Sequence, residues 1–563
     1  MSQTDRAVGE IPGGGWRELL AVLAGGTALA VCLTYPFALR MGDAGRVDST
    51  DGEFSIWNVA WVARTLVVDP RHVLDANIFY PHLRTLLYSE TNLGAGALGI
   101  PAYWATRNPI FATNFVFLLS LILGVTGAYY LVRYLVRDRR GAAVAAICFG
   151  FCPYVFAHTP HIQLLMTAGL PFSMLAFHRA ADLPSARRGI VLGLSMAAQT
   201  AFCGYYAVFV ILLVGFATLA VPTLRGSWSN LRYWRMIAVA ALTAALVVAP
   251  LAVPYLQFQR ESGFQRALGE ATRYSANLTA YLASNAMAHG WMLSLLDRFE
   301  HWSEVLFPGF VATLGGAAGL VLAWRSGGRL REVGVIYGTI TLLAFWASFG
   351  PQAGLYTVMY WVIPFVTSLR APARFGLIVA LGLAVLTGVA VREGLARVKW
   401  PSAAGALLVI VAAADLAVPL GTGIMREVPP LSPAYSLMSK LPAGPVIELP
   451  FWSSGSELHG HARYMRYSTS HWMPLVNGYS DYIPPDFIES AARVQGFPSR
   501  DAFQALAARH PRYAVFHMLA YGDQDRAAVS AKLNEFAPYL APLYIDDETR
   551  LYEILKFPPA PAP

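Results

Sequence analysis

The sequence is short of charge: only 13% of its 563 residues are Asp, Glu, Lys or Arg, whereas 56% are hydrophobic. With a mean hydropathy of +0.45, it lacks the polar surface that a soluble globule of this length needs. The shortage of charge therefore excludes a soluble protein and predicts a chain that is solvated by lipid.

Cysteine is equally scarce, with four residues in the whole chain. All four lie inside apolar runs, which is typical of small packing residues and not of a disulfide framework or a metal site. The formal charge of +8 does not indicate nucleic acid, because the Arg residues form short clusters between apolar runs. The sequence also lacks an obvious internal repeat and a C-terminal Gly-x-Ser-x-Gly motif, which argues against a repeat-built transporter and a hydrolase module.

Apolar windows long enough to cross a bilayer core of about 30 Å recur along the chain. We predict about eleven spans, at residues 19–39, 112–132, 141–157, 162–178, 189–203, 205–221, 236–256, 305–324, 333–349, 375–391 and 402–421. The connection after every even-numbered span is basic, whereas opposite turns such as residues 158–163 carry no Lys or Arg. By the positive-inside rule, the N-terminus is inside and the C-terminus outside.

This orientation places a long first loop, about residues 40–111, and everything after about residue 421 on the external side. Clustered prolines mark a linker near the second of these segments, so we predict a transmembrane domain over residues 1–425 and an external domain over residues 426–563. The predicted fold is a polytopic α-helical membrane protein with a small external α/β domain. The predicted elements of that domain are strands at residues 445–449 and 513–516, a helix at residues 501–509 and a hairpin at residues 543–555.

The first external loop begins with carboxylates, and Asp51 and Glu53 are the candidates for catalysis. They precede a helix that carries two tryptophans. An acid at the membrane surface beside aromatic side chains is suited to act as a general base or a metal ligand, because low local polarity and nearby charge tune its pKa. The alternative is structural: the acids stabilise the helix start, with Ser49, Thr50 or Asp51 as the N-cap.

Further polar side chains of the first loop are candidates for substrate binding. They are Tyr80, His82, Glu90 and Asn92. Polar groups at a membrane surface can line a cavity. For the tyrosine, anchoring in the interfacial aromatic belt is the alternative.

The turn between the third and fourth spans adds His161 and Gln163 as candidates for substrate binding. It lies on the same predicted side as Asp51. The imidazole of His161 and the Asp51 carboxylate are ligand types that suit a divalent ion, and His161 is also suited to donate to a phosphate. A solvated turn without a ligand is the alternative.

Arg370 and Arg374 stand at the external entrance of the tenth span, where positive charge is unusual. Two guanidinium groups at a helix N-terminus suit a lipid phosphate or pyrophosphate. The alternative is that they extend to headgroup phosphates without a specific ligand. In the external domain, residues 464–485 are rich in aromatic and amide groups, which suits either stacking on sugars or packing of the domain.

Many spans, a long first loop with an early acid and a C-terminal external domain together resemble the GT-C superfamily of polyprenyl-phosphate-sugar-dependent glycosyltransferases. Short motifs also resemble a group of bacterial membrane proteins placed there or beside the YfhO-like proteins. These motifs are Asp51 with Ile56-Trp57 and Ala60-Trp61, Phe79-Tyr80-Pro81, Tyr88-Ser89-Glu90, residues 160–165, residues 370–375 and residues 476–480.

The resemblance implies an inverting enzyme of the bacterial inner membrane that moves a sugar from a polyprenyl-phosphate carrier to an envelope glycan, lipid or protein. Its first-loop acid, the base, maps to Asp51 with Glu53 as a rival, although superfamily members often have two adjacent acids and Gly52 separates these. Arg370 or Arg374, with or without a divalent ion, would hold the leaving phosphate. The alternative is a non-catalytic lipid-linked glycan transporter or an envelope assembly scaffold.

Overall fold

The computed structural model describes residues 15–263, 266–299, 301–419 and 425–559, which are mostly helical. The chain divides into two compact units. The first unit contains described residues 15–40 and 116–419, and the second contains residues 41–115 and 425–559. The first loop, which the sequence assigns to the transmembrane domain, thus clusters with the C-terminal segment.

The helices have the following bounds: α1 Gly15–Leu33, α2 Thr50–Val68, α3 Leu93–Thr106, α4 Pro109–Val136, α5 Arg139–Gly150, α6 Pro153–Ala157, α7 Ile162–Leu165, α8 Gly169–Asp182, α9 Ala186–Phe202, α10 Gly204–Arg225, α11 Leu231–Ser262, α12 Leu268–Arg273, α13 Gly290–Leu296, α14 Phe310–Ser326, α15 Gly328–Ser348, α16 Leu355–Val362, α17 Gly376–Leu395, α18 Pro401–Asp415, α19 Pro433–Met438, α20 His461–Ser468, α21 Pro485–Gln495, α22 Arg500–Ala505 and α23 Asp523–Glu535. The strands are β1 Ala44–Gly45, β2 Arg426–Glu427, β3 Val446–Leu449, β4 Tyr513–His517, β5 Leu540–Ile545 and β6 Thr549–Ile554.

Seven helical segments in the described part of the chain are long and apolar enough to cross a membrane: Gly15–Leu33, Pro109–Val136, Arg139–Ala157, Gly204–Arg225, Leu231–Ser262, Gly328–Ser348 and Pro372–Leu395. The apolar helices α14 and α18 are shorter. The protein is therefore a multi-pass membrane protein. Each of the eleven predicted windows overlaps a helix, but the number of spans and their orientation stay predictions.

Some predicted windows extend beyond the helices because proline and glycine interrupt them. The first window, residues 19–39, continues past the end of α1 at Leu33. Pro36 lacks a backbone N–H and does not continue the helix. The eighth window begins before α14, which starts at Phe310 and follows Gly309 at a φ of +96°. Gly309 tolerates this left-handed conformation because it has no Cβ.

In the first unit, small residues allow α14 to approach α17 closely. A Cβ added at Gly319 would lie 1.8 Å from the backbone oxygen of Leu386, and one at Gly316 would lie 2.6 Å from a side-chain carbon of Leu383. Close approach at small residues is the usual means of packing helices in a membrane, where no hydrophobic effect drives them together. This contact fixes α17 against α14. Arg370 and Arg374 immediately precede the N-terminal end of α17.

In the second unit, a four-stranded sheet has the order β3-β4-β6-β5. Strands β3 and β4 are parallel, with Val446 opposite Tyr513, and the other two pairs are antiparallel. The predicted strands and hairpin are therefore observed. The predicted helix at residues 501–509 is shorter, because α22 ends at Ala505.

The first loop and the C-terminal segment share backbone hydrogen bonds within this unit. Strand β1 pairs with β2 in antiparallel register. The N–H of Phe79 donates to the carbonyl of Asn477 at 3.0 Å, and the N–H of Tyr80 donates to that of Leu475 at 2.8 Å. A Cβ on Gly478 would lie 2.7 Å from the Phe79 ring. Residues near 476–480 thus pack against the loop, which supports the packing interpretation of this aromatic segment.

Candidate functional site

The first turn of α2 carries both candidate acids in the second unit. Ser49 is the N-cap, and its Oγ accepts a hydrogen bond from the N–H of Gly52 at 3.1 Å. A Cβ at Gly52 would lie 1.7 Å from the carbonyl oxygen of Arg46, so the residue between the two acids has to be glycine. Asp51 and Glu53 stabilise the helix start through the helix dipole, and Asp51 is half-buried.

Glu53 is committed to a partner within the protein. Its side chain is 6% exposed and accepts a hydrogen bond from Nε of Arg466 in α20, whose side chain is also 6% exposed. Burial raises the pKa of the Glu53 carboxyl, and the charges of Arg466 and Arg463 offset this in part. A buried, paired carboxylate is poorly placed to receive a proton from a substrate, which argues against Glu53 as the base; the role of Asp51 stays a prediction.

The remaining first-loop candidates contact other parts of the same unit. Nε2 of His82 lies 3.0 Å from a carboxylate oxygen of Asp486 in α21, and Tyr80 binds the C-terminal segment through its backbone. The carbonyl of Glu90 accepts hydrogen bonds from the Nδ2 groups of Asn58 and Asn92, at 3.3 and 3.4 Å. The predicted roles of all four residues in substrate binding stay predictions.

Asn58 and Asn92 are buried, with 0% and 1% of their surface exposed. Their Oδ1 atoms have no hydrogen-bond partner among the described residues. A buried acceptor without a donor costs free energy unless a ligand or water supplies one. Asn92 therefore stays a candidate for substrate binding. Asn58 becomes a second candidate, which the sequence analysis did not identify. The sequence signal for Asn58 is a polar amide within an apolar stretch of α2.

In the first unit, the predicted histidine turn contains a second imidazole with two partners. Nδ1 of His158 donates to the carbonyl of Tyr154 at 2.9 Å, and its Nε2 lies 3.4 Å from an Oε2 atom of Glu304. The rings of His158 and His161 are 5.9 Å apart. Gln163 is half-buried in the short helix α7. Both nitrogens of His158 therefore lie close to oxygen acceptors.

Arg370 and Arg374 are both held against tyrosines. The Tyr205 hydroxyl in α10 accepts hydrogen bonds from the backbone N–H groups of Arg370 and Ala371. The Arg374 guanidinium lies over the Tyr205 ring, 4.3 Å from its centroid. The Arg370 guanidinium lies 5.4 Å from the centroid of Tyr274. Tyr205 thus has two roles: its hydroxyl fixes the backbone that precedes α17, and its ring positions the guanidinium of Arg374.

Glu304 is a functional candidate that the sequence analysis missed. Burial alone would raise the pKa of its carboxyl, but His158, the N–H of Val305 and the Arg374 guanidinium together hold that pKa below its ordinary value. Glu304 is therefore a carboxylate that interacts with both His158 and Arg374. Its only sequence signal is a single acid immediately before an apolar window.

The divalent ion suggested at Asp51 and His161 stays a prediction. These two residues belong to different units. Across the described ranges, no group of three or more His, Cys, Asp or Glu side chains is arranged to hold a metal ion. In the first unit, the His158 ring and the Arg374 guanidinium both lie near the Glu304 carboxylate. Such an arrangement is suited to bind an anion that displaces the carboxylate.

No protein-family model and no curated protein matches the chain. Among solved structures, the chain is similar to the arabinofuranosyltransferase AftD from mycobacteria, with a TM-score of 0.60 and 15% identity. The match covers 96% of this chain and 40% of that one, so the chain spans well under half the length of AftD. At this identity the likeness shows the fold alone.

Two further solved structures are similar at TM-scores below 0.5. They are an oligosaccharyltransferase from Archaeoglobus fulgidus, with a TM-score of 0.49, 14% identity and coverage of 94% of this chain and 74% of that one, and ArnT from Cupriavidus metallidurans in the apo state, with a TM-score of 0.47, 12% identity and coverage of 96% and 98%.

Proposed function

Because the chain has the fold of the GT-C membrane glycosyltransferases, we propose that it transfers a sugar from a polyprenyl-phosphate carrier to an envelope acceptor on the external face of the bacterial inner membrane. The carrier class follows from the sequence resemblance. The observation that carries the proposal is the guanidinium of Arg374, which is stacked on Tyr205 at the start of an apolar helix.

A glycosyl transfer from a lipid phosphate develops positive charge on the sugar and negative charge on the leaving phosphate. A fixed guanidinium stabilises that phosphate without reorganising during the reaction. Tyr205 supplies the fixation, because its hydroxyl holds the backbone of Arg370 and its ring holds Arg374. The phosphate leaves as an anion and needs no general acid.

Arg374 is close enough to Glu304 for its positive charge to help hold the pKa of that carboxyl below its ordinary value. A lipid phosphate carries negative charge of its own, so it competes with Glu304 for Arg374 and His158. The proposed binding step is therefore an exchange of one counter-ion for another, which avoids a buried, unpaired guanidinium before the substrate arrives.

Deprotonation of the acceptor hydroxyl is the second chemical task, and the proposal gives it to Asp51. Glu53 is the less suitable acid because Arg466 engages it in a buried ion pair. Asp51 is half-buried in the first turn of α2. A carboxylate that removes the acceptor proton during a single displacement produces inversion at the anomeric carbon.

The test is a transfer assay on the purified protein with labelled polyprenyl-phosphate sugars. We expect transfer by the natural chain and loss of nearly all turnover in Asp51→Asn. Asp48→Asn is the matched control, because this neighbouring acid pairs with Arg46 at 2.9 Å and is 32% exposed. The control is expected to keep its turnover.

Folding of each variant is checked by size-exclusion chromatography in detergent. If no polyprenyl-phosphate sugar supports transfer, the proposal that the protein is an enzyme is wrong. A lipid-linked glycan transporter would instead move labelled lipid across a vesicle membrane and tolerate Asp51→Asn. That result would favour the transporter.

A further inference from the structure

Two arginines of the first loop have no acidic partner in the described part of the chain. Arg64 lies near the C-terminal end of α2, and Arg107 is the residue that follows α3. Apart from contacts with aromatic rings, neither guanidinium makes a hydrogen bond or an ion pair with a described residue. Both arginines belong to the second unit. A guanidinium without a counter-ion is available to an anion from outside the protein.

Each of the two guanidiniums is held over a tryptophan ring. That of Arg107 lies 3.7 Å from the centroid of Trp104, and that of Arg64 lies 5.4 Å from the centroid of Trp472. The Trp104 ring is fixed, because its Nε1 donates to the carbonyl of Ala63 at 3.1 Å. A cation–π contact supplies no oxygen acceptor, so the N–H donors of both groups remain for another partner.

Tyr103 lies between the two arginine–tryptophan pairs. Nε1 of Trp472 donates to the Tyr103 hydroxyl at 3.2 Å, and Tyr103 precedes Trp104 in α3. Burial raises the pKa of this hydroxyl, whereas the hydrogen bond from Trp472 and the charges of Arg64 and Arg107 lower it. Both guanidiniums are therefore close enough to act on one oxygen atom. We call these residues the arginine–tryptophan cluster: Arg64, Tyr103, Trp104, Arg107 and Trp472.

Arg512 in the same unit shows what a stacked arginine with a structural role does. Its guanidinium lies 5.4 Å from the centroid of Tyr513, the same distance as that of Arg64 from Trp472. It also pairs with the carboxylate of Glu553, which lies 3.0 Å away. Its charge is thus neutralised within the protein. The arginine–tryptophan cluster differs, because its two positive charges have no acid beside them among the described residues.

Exposed apolar residues flank the cluster on both helices. On α2, Val67 and Val68 lie three and four positions after Arg64 and are 50% and 53% exposed. Residues at these spacings share one face of a helix. On α3, every fourth position from Ala97 to Ala105 is apolar and exposed. Each helix therefore presents an apolar face to its surroundings close to an arginine of the cluster.

The position of the cluster along the chain indicates the membrane surface. Arg107 stands two residues before Pro109, where the apolar segment Pro109–Val136 begins. Tryptophan is typical of the bilayer interface, and arginine at this depth extends its cation to the head groups. Positive charge beside exposed apolar side chains matches an anionic lipid, whereas a soluble anion would leave the apolar faces uncovered.

We propose that the arginine–tryptophan cluster is a binding site for the head group of an anionic phospholipid. The lipid phosphate accepts hydrogen bonds from Arg64 and Arg107, and the apolar faces of α2 and α3 contact the upper part of the acyl chains. A head group with a net negative charge is preferred over a zwitterionic one, because both guanidiniums lack a counter-ion across the described ranges. The site attaches these two helices to the bilayer and does not depend on sugar transfer.

Photoactivatable phospholipids test the site in the purified full-length protein in detergent. Phosphatidylglycerol and phosphatidylcholine that carry the same diazirine near the glycerol are used in parallel, below saturation, and mass spectrometry maps the labelled segments. We expect phosphatidylglycerol to label residues 64–68 and 97–107 about fivefold more than phosphatidylcholine, which is the preference that one cation provides near an anionic lipid.

Competition distinguishes a lipid from free phosphate. Excess unlabelled phosphatidylglycerol should abolish the labelling of these two segments, whereas inorganic phosphate at the same concentration should leave it unchanged. Equal labelling by the two phospholipids, or labelling confined to other segments, would overturn the proposal. Displacement by inorganic phosphate would show that the cluster binds a free anion, which would overturn it as well.

Arg64→Gln and Arg107→Gln test the two guanidiniums separately. Each variant removes one cation, so labelling by phosphatidylglycerol should fall about fivefold, while labelling by phosphatidylcholine stays the same. Arg512→Gln is the matched control and should keep the preference for phosphatidylglycerol. A preference that survives in both Arg64→Gln and Arg107→Gln would contradict the assignment.

Size-exclusion chromatography in detergent checks that the variants fold. The comparison of the two phospholipids on the natural chain does not depend on that folding, so it tests the site even if a variant is unstable.

Discussion

Glu53 and Arg466 form a buried ion pair although 413 residues separate them in the sequence. The pair connects the first turn of α2 to α20, and both side chains are 6% exposed. It therefore fastens the helix that carries Asp51 to the C-terminal segment within the second unit. A substitution at this pair is expected to alter the position of Asp51, the candidate base, although Asp51 itself is unchanged.

Removing one partner of this pair should destabilise the protein strongly. Glu53→Ala leaves the Arg466 guanidinium buried without its counter-ion, which costs about 3–5 kcal/mol in the free energy of unfolding. Chemical denaturation in detergent measures it. The matched control is Asp501→Ala, which breaks a pair with Arg493 whose side chains are 43% and 62% exposed and costs about 1 kcal/mol or less.

The double variant Glu53→Met with Arg466→Met separates pairing from packing. Replacing both charges by apolar groups removes the uncompensated charge, so the loss should be smaller than in either single variant. A Glu53→Ala variant as stable as the Asp501→Ala control would contradict a structural role for the pair.

Arg374→Lys tests the shape of the proposed phosphate-binding cation. Lysine keeps the positive charge but lacks the planar group that stacks on Tyr205 and binds two phosphate oxygens. We expect transfer to fall by about tenfold or more, which is about 1.4 kcal/mol of transition-state stabilisation. Steady-state kinetics with the lipid-phosphate donor measures it.

Arg331 provides the matched control for this substitution. Its guanidinium also lies over an aromatic ring, 4.1 Å from the centroid of Trp324, at a connection predicted to be cytoplasmic. Arg331→Lys should leave transfer unchanged. Equal losses in the two variants would mean that stacked arginines support the fold in general, and Arg374 would lose its assigned role.

Glu304 should make the stability of the protein depend on pH in the acid range. Its folded-state pKa is held below the ordinary value of 4.5 by His158, Val305 and Arg374, despite the opposing effect of burial. The stabilisation is thus fully present above that ordinary value and is lost as the pH falls through the folded-state pKa. Glu304→Gln removes this contribution, so the melting temperature should fall less on acidification than in the natural chain.

Glu270→Gln is the control for the pH profile. This carboxylate pairs with Arg266 at 3.0 Å, and its side chain is 37% exposed. Its removal should leave the acid slope of the melting temperature close to that of the natural chain. An unchanged slope in Glu304→Gln would show that Glu304 does not stabilise the folded state as a carboxylate.

Local sequence patterns predicted the apolar helices of the first unit and the strands of the second, but not most of the short helices of the second unit. Every predicted apolar window overlaps a helix, since a chain in lipid has to satisfy its backbone hydrogen bonds internally. The strands at Val446–Leu449 and Tyr513–His517 follow from short apolar runs. Ser49 caps α2, as the residues before that helix suggested. These features depend on neighbours within a few positions.

The candidate residues were only partly predictable. The sequence identified Arg374 because a positive charge at the predicted external end of a span is unusual. It did not identify Glu304, since an isolated acid carries no pattern of its own. It also left Asp51 and Glu53 as rivals, and the ion pair with Arg466, which no local pattern predicts, argues against Glu53 while the role of Asp51 stays a prediction.

The sequence by itself determined a membrane chain, the approximate positions of its apolar helices and the strands of the C-terminal sheet, because apolar patterns and capping act locally. Only the tertiary structure decided which side chains meet: Glu53 with Arg466, His158 with Glu304, and Glu448 with His517. It also grouped the first loop with the C-terminal segment. The physical reason is that an ion pair or a hydrogen bond depends on distance in space, and no periodicity along the chain records which distant residue will supply the partner.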